Sequence, residues 1–156
     1  MSGTPDSTAV ADWHRYFAIE ANNRAWGLAA GERTSDQDRE MLDCAHAAAY
    51  HWNAIGTELN RMRALTLLGQ AHALLGHGET AVGYAQTVLD YFDGRDDTPD
   101  WERALVYAIV ALAASAASQT KLHAEMFERA RASVEAIADP EDRQIVLETF
   151  DQVPVP

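Results

Sequence analysis

The chain has 156 residues, 47% of them apolar, with 24 acidic against 12 basic side chains and a single cysteine, Cys44. Its length and apolar fraction suit one globular domain with a real core, and a formal charge of −12 repels phosphate backbones and anionic lipid, so neither nucleic acid nor a membrane is an expected partner. One cysteine allows no internal disulfide, no apolar run reaches the ~18 residues of a spanning helix, and the opening MSGTPDSTAV lacks a signal-peptide layout, so a reducing cytoplasm is the expected compartment.

Alanine supplies much of the apolar content and β-branched residues are few, which favours helix because alanine loses no side-chain entropy there. The acidity is uneven: −4 over residues 1–89 and −8 over residues 90–156. Eleven of the twelve basic residues are arginine, the usage of a GC-rich bacterial genome.

Helical periodicity runs along nearly the whole chain and predicts an all-α fold of about seven helices. Helix one runs from about Thr8 to Ala29, with Val10, Trp13, Phe17, Ala21, Ala25 and Leu28 as its apolar stripe. Helix two begins after Ser35, whose Asp38 three residues on resembles a capping box, and carries Leu42, Ala45, Ala49, Trp52 and Ile55 to Gly56. Helix three starts at the N-cap Thr57 and carries Leu65, Leu68, His72 and Leu75 on one side. After the tight Gly76-His77-Gly78 turn, helix four carries Ala81, Ala85, Val88 and Phe92. The acidic loop 93–100 ends in Thr98-Pro99, a cap with proline at the first helical position. Helix five, to about Ser118, is apolar nearly all round and so should be surrounded by protein. Helix six spans about Lys121 to Ile137, and Asp139-Pro140 caps a short last helix before the ragged tail DQVPVP.

Short loops make consecutive helices antiparallel neighbours. The expected single domain, 1–156, thus divides into hairpins at 8–55, 57–93 and 98–138 and a capping helix at 140–150 that covers the open end of a stack.

Within helices three and four the small and large residues follow a recognisable order: Leu65, Leu68-Gly69, His72, Gly76, Ala81, Ala85 and Val88. A weaker copy lies 43 residues on, in Ala108, Ala111-Leu112, Ser115, Gln119, Ala124, Glu128 and Ala130, with the glycine replaced by Leu112. This order resembles the tetratricopeptide repeat, while the first hairpin shares only its helix lengths. The resemblance implies a right-handed superhelix of stacked hairpins whose first helices line a concave groove for peptides or helices of other proteins. Carried over by position, the groove residues are Arg63, Thr66, Gln70 and Ala73 in the second hairpin and Val106, Ile109, Ala113 and Ala116 in the third. The family's clamp for a C-terminal carboxylate uses lysine and asparagine at these places. Thr66 and Gln70 depart from that pattern, so chaperone tails are not the expected ligand. The apolar face of helix five needs a cover: the last helix, a second copy of the chain or a partner helix.

The histidines offer a different reading. His46 and His51 are five apart, about 140° on a helix, and cannot share one metal ion; His72 and His77 have the same spacing. Asp43 and His46 share a face with Tyr50, and His14 can reach them if helices one and two pack antiparallel. The paired asparagines at 22–23, poor in a helix interior, bond a loop or, functionally, join Asn23, Trp26, His46, Tyr50 and His14 in a small polar pocket between helices one and two. Trp13, Trp26 and Trp52 fall on or beside apolar stripes and are expected in the core. There is no phosphate loop, nucleophile elbow or zinc motif, and Cys44 and His46 lie about 200° apart on their helix, so neither enzyme activity, a cofactor nor a metal is expected. The expectation is a non-catalytic interaction scaffold that binds a peptide, a partner helix or a second copy of itself. The alternative is a ligand- or metal-binding module using the pocket between helices one and two.

Overall fold

The structure, a computed structural model, describes residues 6–156; residues 1–5 of the expected domain lie outside the described residues. It is all-α, with α1 Ser7–Ala29, α2 Ser35–Ile55, α3 Glu58–Leu74, α4 Gly78–Asp93, α5 Asp100–Ala116, α6 Thr120–Ala136 and α7 Pro140–Phe150. No strand occurs among the described residues.

Each short loop returns the chain alongside the helix it has left, so α1 packs on α2, α3 on α4 and α5 on α6. The hairpins then stack through both their helices, with α2 and α1 on α3, α4 and α3 on α5, and α7 against α5 and α6. The odd-numbered helices therefore form one continuous layer, and the seven helices make a hairpin stack with α7 at its end. Helix α3, in the middle, is buried continuously from Thr66 to Ala73, polar residues included. The one-sided stripe expected for it understated this, because α3 has neighbours on both flanks. Helix α5 is buried from Val106 to Ala114, as its lack of a polar face implies. In α4 the stripe Ala81, Ala85, Val88 and Phe92 is buried as expected.

The caps explain the boundaries and move two of them. Thr34, not Ser35, caps α2: its hydroxyl accepts from Gln37 N (3.3 Å) and Gln37 Oε1 accepts from Thr34 N (2.9 Å), a reciprocal box one residue earlier than expected. Thr57 caps α3, paired with Asn60, and Asp139 caps α7 by accepting from Glu141 N and Asp142 N. Thr98 does not cap α5. Its hydroxyl donates to the Phe92 carbonyl (2.7 Å) and so closes the end of α4.

The turns inside the second and third hairpins are the same turn. Gly76 (φ 74°) and Ser118 (φ 57°) occupy the left-handed region, and the amide of the next residue reaches back five residues in both, His77 N to His72 O and Gln119 N to Ala114 O (2.9 Å each). The second and third hairpins are thus offset by 42 residues, one fewer than the 43 read from the side chains. At this register Gly69 matches the fully buried Ala111 rather than Leu112, so a small residue holds the close approach in both copies.

The stripe of α1 holds for half its length. Ala25 and Leu28 are buried, but Val10, Trp13 and Phe17 are exposed, Trp13 at 59%. The tail is ordered against the core rather than ragged: Val153 is buried, Gln152 bonds Ala29 and Gln70, and His123 Nε2 meets the Pro154 carbonyl (2.7 Å). No described helix is long and apolar enough to cross a membrane.

Candidate functional site

The odd-helix layer is not flat. A cleft of about 340 Å³ opens on it, within the size range of small ligand sites. Each odd helix contributes to it: Asn22 and Trp26 from α1, Arg63, Thr66 and Gln70 from α3, Trp101, Glu102 and Leu105 from α5, and Ile145, Glu148 and Thr149 from α7. Because α3 touches both α1 and α5, it forms the floor, and the two indoles stand on helices flanking it.

Arg63 and Glu102 join the floor to one wall. The guanidinium donates from Nε to Oε1 (2.7 Å) and from Nη2 to Oε2 (2.9 Å), the bidentate geometry in which arginine binds a carboxylate best. The Glu102 side chain is 5% exposed and that of Arg63 44%, so the arginine alone reaches solvent. The carboxylate raises the Arg63 pKa further above its usual value. The same guanidinium lies 5.7 Å from the Trp101 ring centroid.

Of the groove residues named from the repeat, Arg63, Thr66 and Gln70 line this cleft. Ala73 is core. Val106 and Ile109 do not line it either. They are 1% and 0% exposed and belong to the packed interior of α5, together with Ala113. At the 42-residue register the partner of Arg63 is Leu105, which does line the cleft, whereas the partners of Thr66 and Gln70, Ala108 and Leu112, are buried core. The other cleft residues of α5, Trp101 and Glu102, lie a turn closer to the N-terminus. The residue spacing carried no signal for these two. The α7 contribution had none, since nothing local says which face a terminal helix turns inward.

The pocket expected between α1 and α2 is not assembled as a unit. His14 shares a hydrogen bond with His51 (Nδ1 to Nδ1, 2.8 Å) and has Tyr50 beside it, with ring centroids 6.2 Å apart. His46 turns to α3, edge-on to His72 at 5.5 Å. Asn23 is exposed and accepts from Asn22 (3.3 Å), while Trp26 belongs to the cleft. His14 and Trp26 are twelve residues apart on one helix, about 18 Å along its axis, too far to bound one small pocket. Of the three tryptophans expected in the core, Trp13 is exposed, Trp26 lines the cleft and Trp52 packs half-buried on the α1–α3 cluster.

His72 and His77 also depart from expectation, with Nδ1 atoms 3.0 Å apart. The angular argument fails for them because α3 ends at Leu74 and His77 lies in the turn, free of the helical spacing. Tyr84 stacks on His72 from α4. Burial, with His46 and His77 adding to it, pushes the His72 imidazole below its ordinary range. Among the described residues no group of three or more His, Cys, Asp or Glu has metal-binding geometry. Cys44 is half-buried, and burial pushes its thiol upward, away from a reactive thiolate.

No family model, curated protein or solved structure matches this chain.

Proposed function

We propose that this protein is a non-catalytic interaction scaffold of the tetratricopeptide type, which binds a segment of a partner protein in the cleft on its odd-helix layer. The observation that supports this reading is the convergence of α1, α3, α5 and α7 on one cleft, with Trp26 and Trp101 flanking Arg63, Thr66 and Gln70. Tryptophan and arginine are the residue types that most often carry binding energy at interfaces. Three of the positions are those that the repeat resemblance assigns to a groove.

Selection of short peptides from a random display library against the untagged chain tests the reading. The expected result is a consensus whose binding falls at least tenfold in Trp26→Ala and in Trp101→Ala, with the helical circular dichroism retained. Binders indifferent to both substitutions, or no binders, would remove the cleft from consideration. Native mass spectrometry supplies the contrast: a stoichiometric small-molecule adduct lost with Trp101→Ala would favour a ligand-binding module instead.

A further inference from the structure

The hydrogen-bonding state of the cleft floor specifies what should enter it. Gln152 Nε2 donates to the carbonyl oxygen of Ala29 (2.7 Å), a group that can only accept. The Gln152 amide is thereby oriented, and its Oε1 accepts from Gln70 Nε2 (3.2 Å). The Gln70 amide is fixed in turn. One of its two N–H groups is committed, and its Oε1, on a side chain only 1% exposed, has no partner within the protein. One turn earlier on α3, the Thr66 hydroxyl donates to Met62 O (3.0 Å), so toward anything else its oxygen can only accept. Two acceptor oxygens four residues apart on one helix, Gln70 Oε1 and Thr66 Oγ1, therefore stand on the floor with no protein donor bonded to them.

Charge and walls narrow the choice. The charged lining residues are Arg63, Glu102 and Glu148; the first two neutralise each other, and exposed Glu148 leaves the cleft at −1. The whole chain carries −12. Leu105 and Ile145 give the walls an apolar stretch, and Trp26 supplies an indole in addition to the one that Arg63 already approaches. An ammonium group has three donors and no acceptor, is attracted to indole faces, and is drawn by the molecular field. An anion would meet acceptors and carboxylates.

We propose that the cleft takes a protonated primary amine on an alkyl stem, supplied by a lysine side chain of the partner segment: the ammonium goes to Gln70 and Thr66, and the stem lies between Trp26 and Trp101. This rests on the cleft being the partner-binding site.

The test uses the four tryptophans, Trp13, Trp26, Trp52 and Trp101, whose indole N–H signals are followed in nitrogen-15-labelled protein and assigned with Trp26→Phe and Trp101→Phe. Nα-acetyl-lysine N-methylamide should move the Trp26 and Trp101 signals saturably and leave Trp13 and Trp52 in place. The norleucine analogue, which lacks the ammonium, should bind at least tenfold more weakly. Glu148→Gln, a change at an exposed position, should weaken the lysine compound by up to about fivefold. Equal shifts with the norleucine compound would overturn the cation and leave the cleft standing as an apolar partner site. Shifts with n-hexylamine but none with the lysine compound would overturn the lysine as source. Silence from all three compounds, with selected peptides still dependent on Trp101, would overturn the amine alone; peptides independent of both tryptophans would overturn the underlying reading.

Discussion

Burial between α2, α3 and α4 holds His72 below the ordinary imidazole range, and burial does the same to His51, with His14 adding to it. His72 faces His46 from α2, His77 in the turn and Tyr84 from α4, none of which offers it a negative charge. The unfolded chain therefore takes these protons first. Stability is fully present above the unfolded imidazole value of about 6.5 and is lost as pH falls below it. The urea midpoint should accordingly drop between pH 7.5 and 5.5, and His72→Gln should flatten that slope; a midpoint constant over this range would contradict the account. A second loss follows in stronger acid. Asp93 accepts from the Tyr107 hydroxyl and from Arg129 Nη2 (3.2 Å), and both interactions hold its carboxyl below the usual range. Its contribution is present above about pH 3.9 and disappears as pH falls further. None of these pairings was legible in the residue spacing, because each joins side chains of different elements or spans a helix end.

Between elements, the decisive device is the turn shared by the second and third hairpins. Gly76 meets its positive φ without a Cβ, whereas Ser118 holds the same conformation against the steric cost that a side chain carries there. Ser118→Gly should stabilise the protein by about 1 kcal/mol, a rise of about 2–4 °C in Tm. Gly78 has the opposite character. A Cβ there would lie 2.5 Å from Ala116 O and from the backbone of Ala117, where the α5–α6 turn presses on the start of α4. Backbone cannot yield as a side chain can, so Gly78→Ala should cost about 1–3 kcal/mol. Thermal unfolding followed by circular dichroism checks both, and a lower Tm for Ser118→Gly would refute the strain assigned to that turn. Helix positions and the caps at Thr57 and Asp139 were readable from local chemistry. The register between the hairpins was not, because Ala111-Leu112 offers two plausible matches to Leu68-Gly69 and only the turn geometry chooses between them.

At the scale of the whole molecule, α7 and the tail convert an open stack into one with a bounded cleft. Helix α7 supplies one part of the lining, and Gln152 ties the end of α1 to the middle of α3. Val153 is 5% exposed in the core cluster shared by α4, α5 and α6. Deleting residues 151–156 removes one buried valine, worth about 1.5–3 kcal/mol, and the Gln152 hydrogen bonds at about 1 kcal/mol each. The shortened chain should remain helical but lose about 3.5–5 kcal/mol in urea unfolding. An unchanged midpoint would mean that the tail merely rests on the surface. The amino-acid sequence by itself determined the helical class, the number of helices, most of their ends and the burial of α5, because these follow from periodicity, capping and composition within a few residues. Only the tertiary structure decided what covers Val106 and Ile109, that the histidines divide among separate partners, and that Trp26, Arg63 and Trp101 meet at one cleft. The reason is physical: a local pattern fixes which face of a helix is apolar, but what covers that face depends on residues far along the chain.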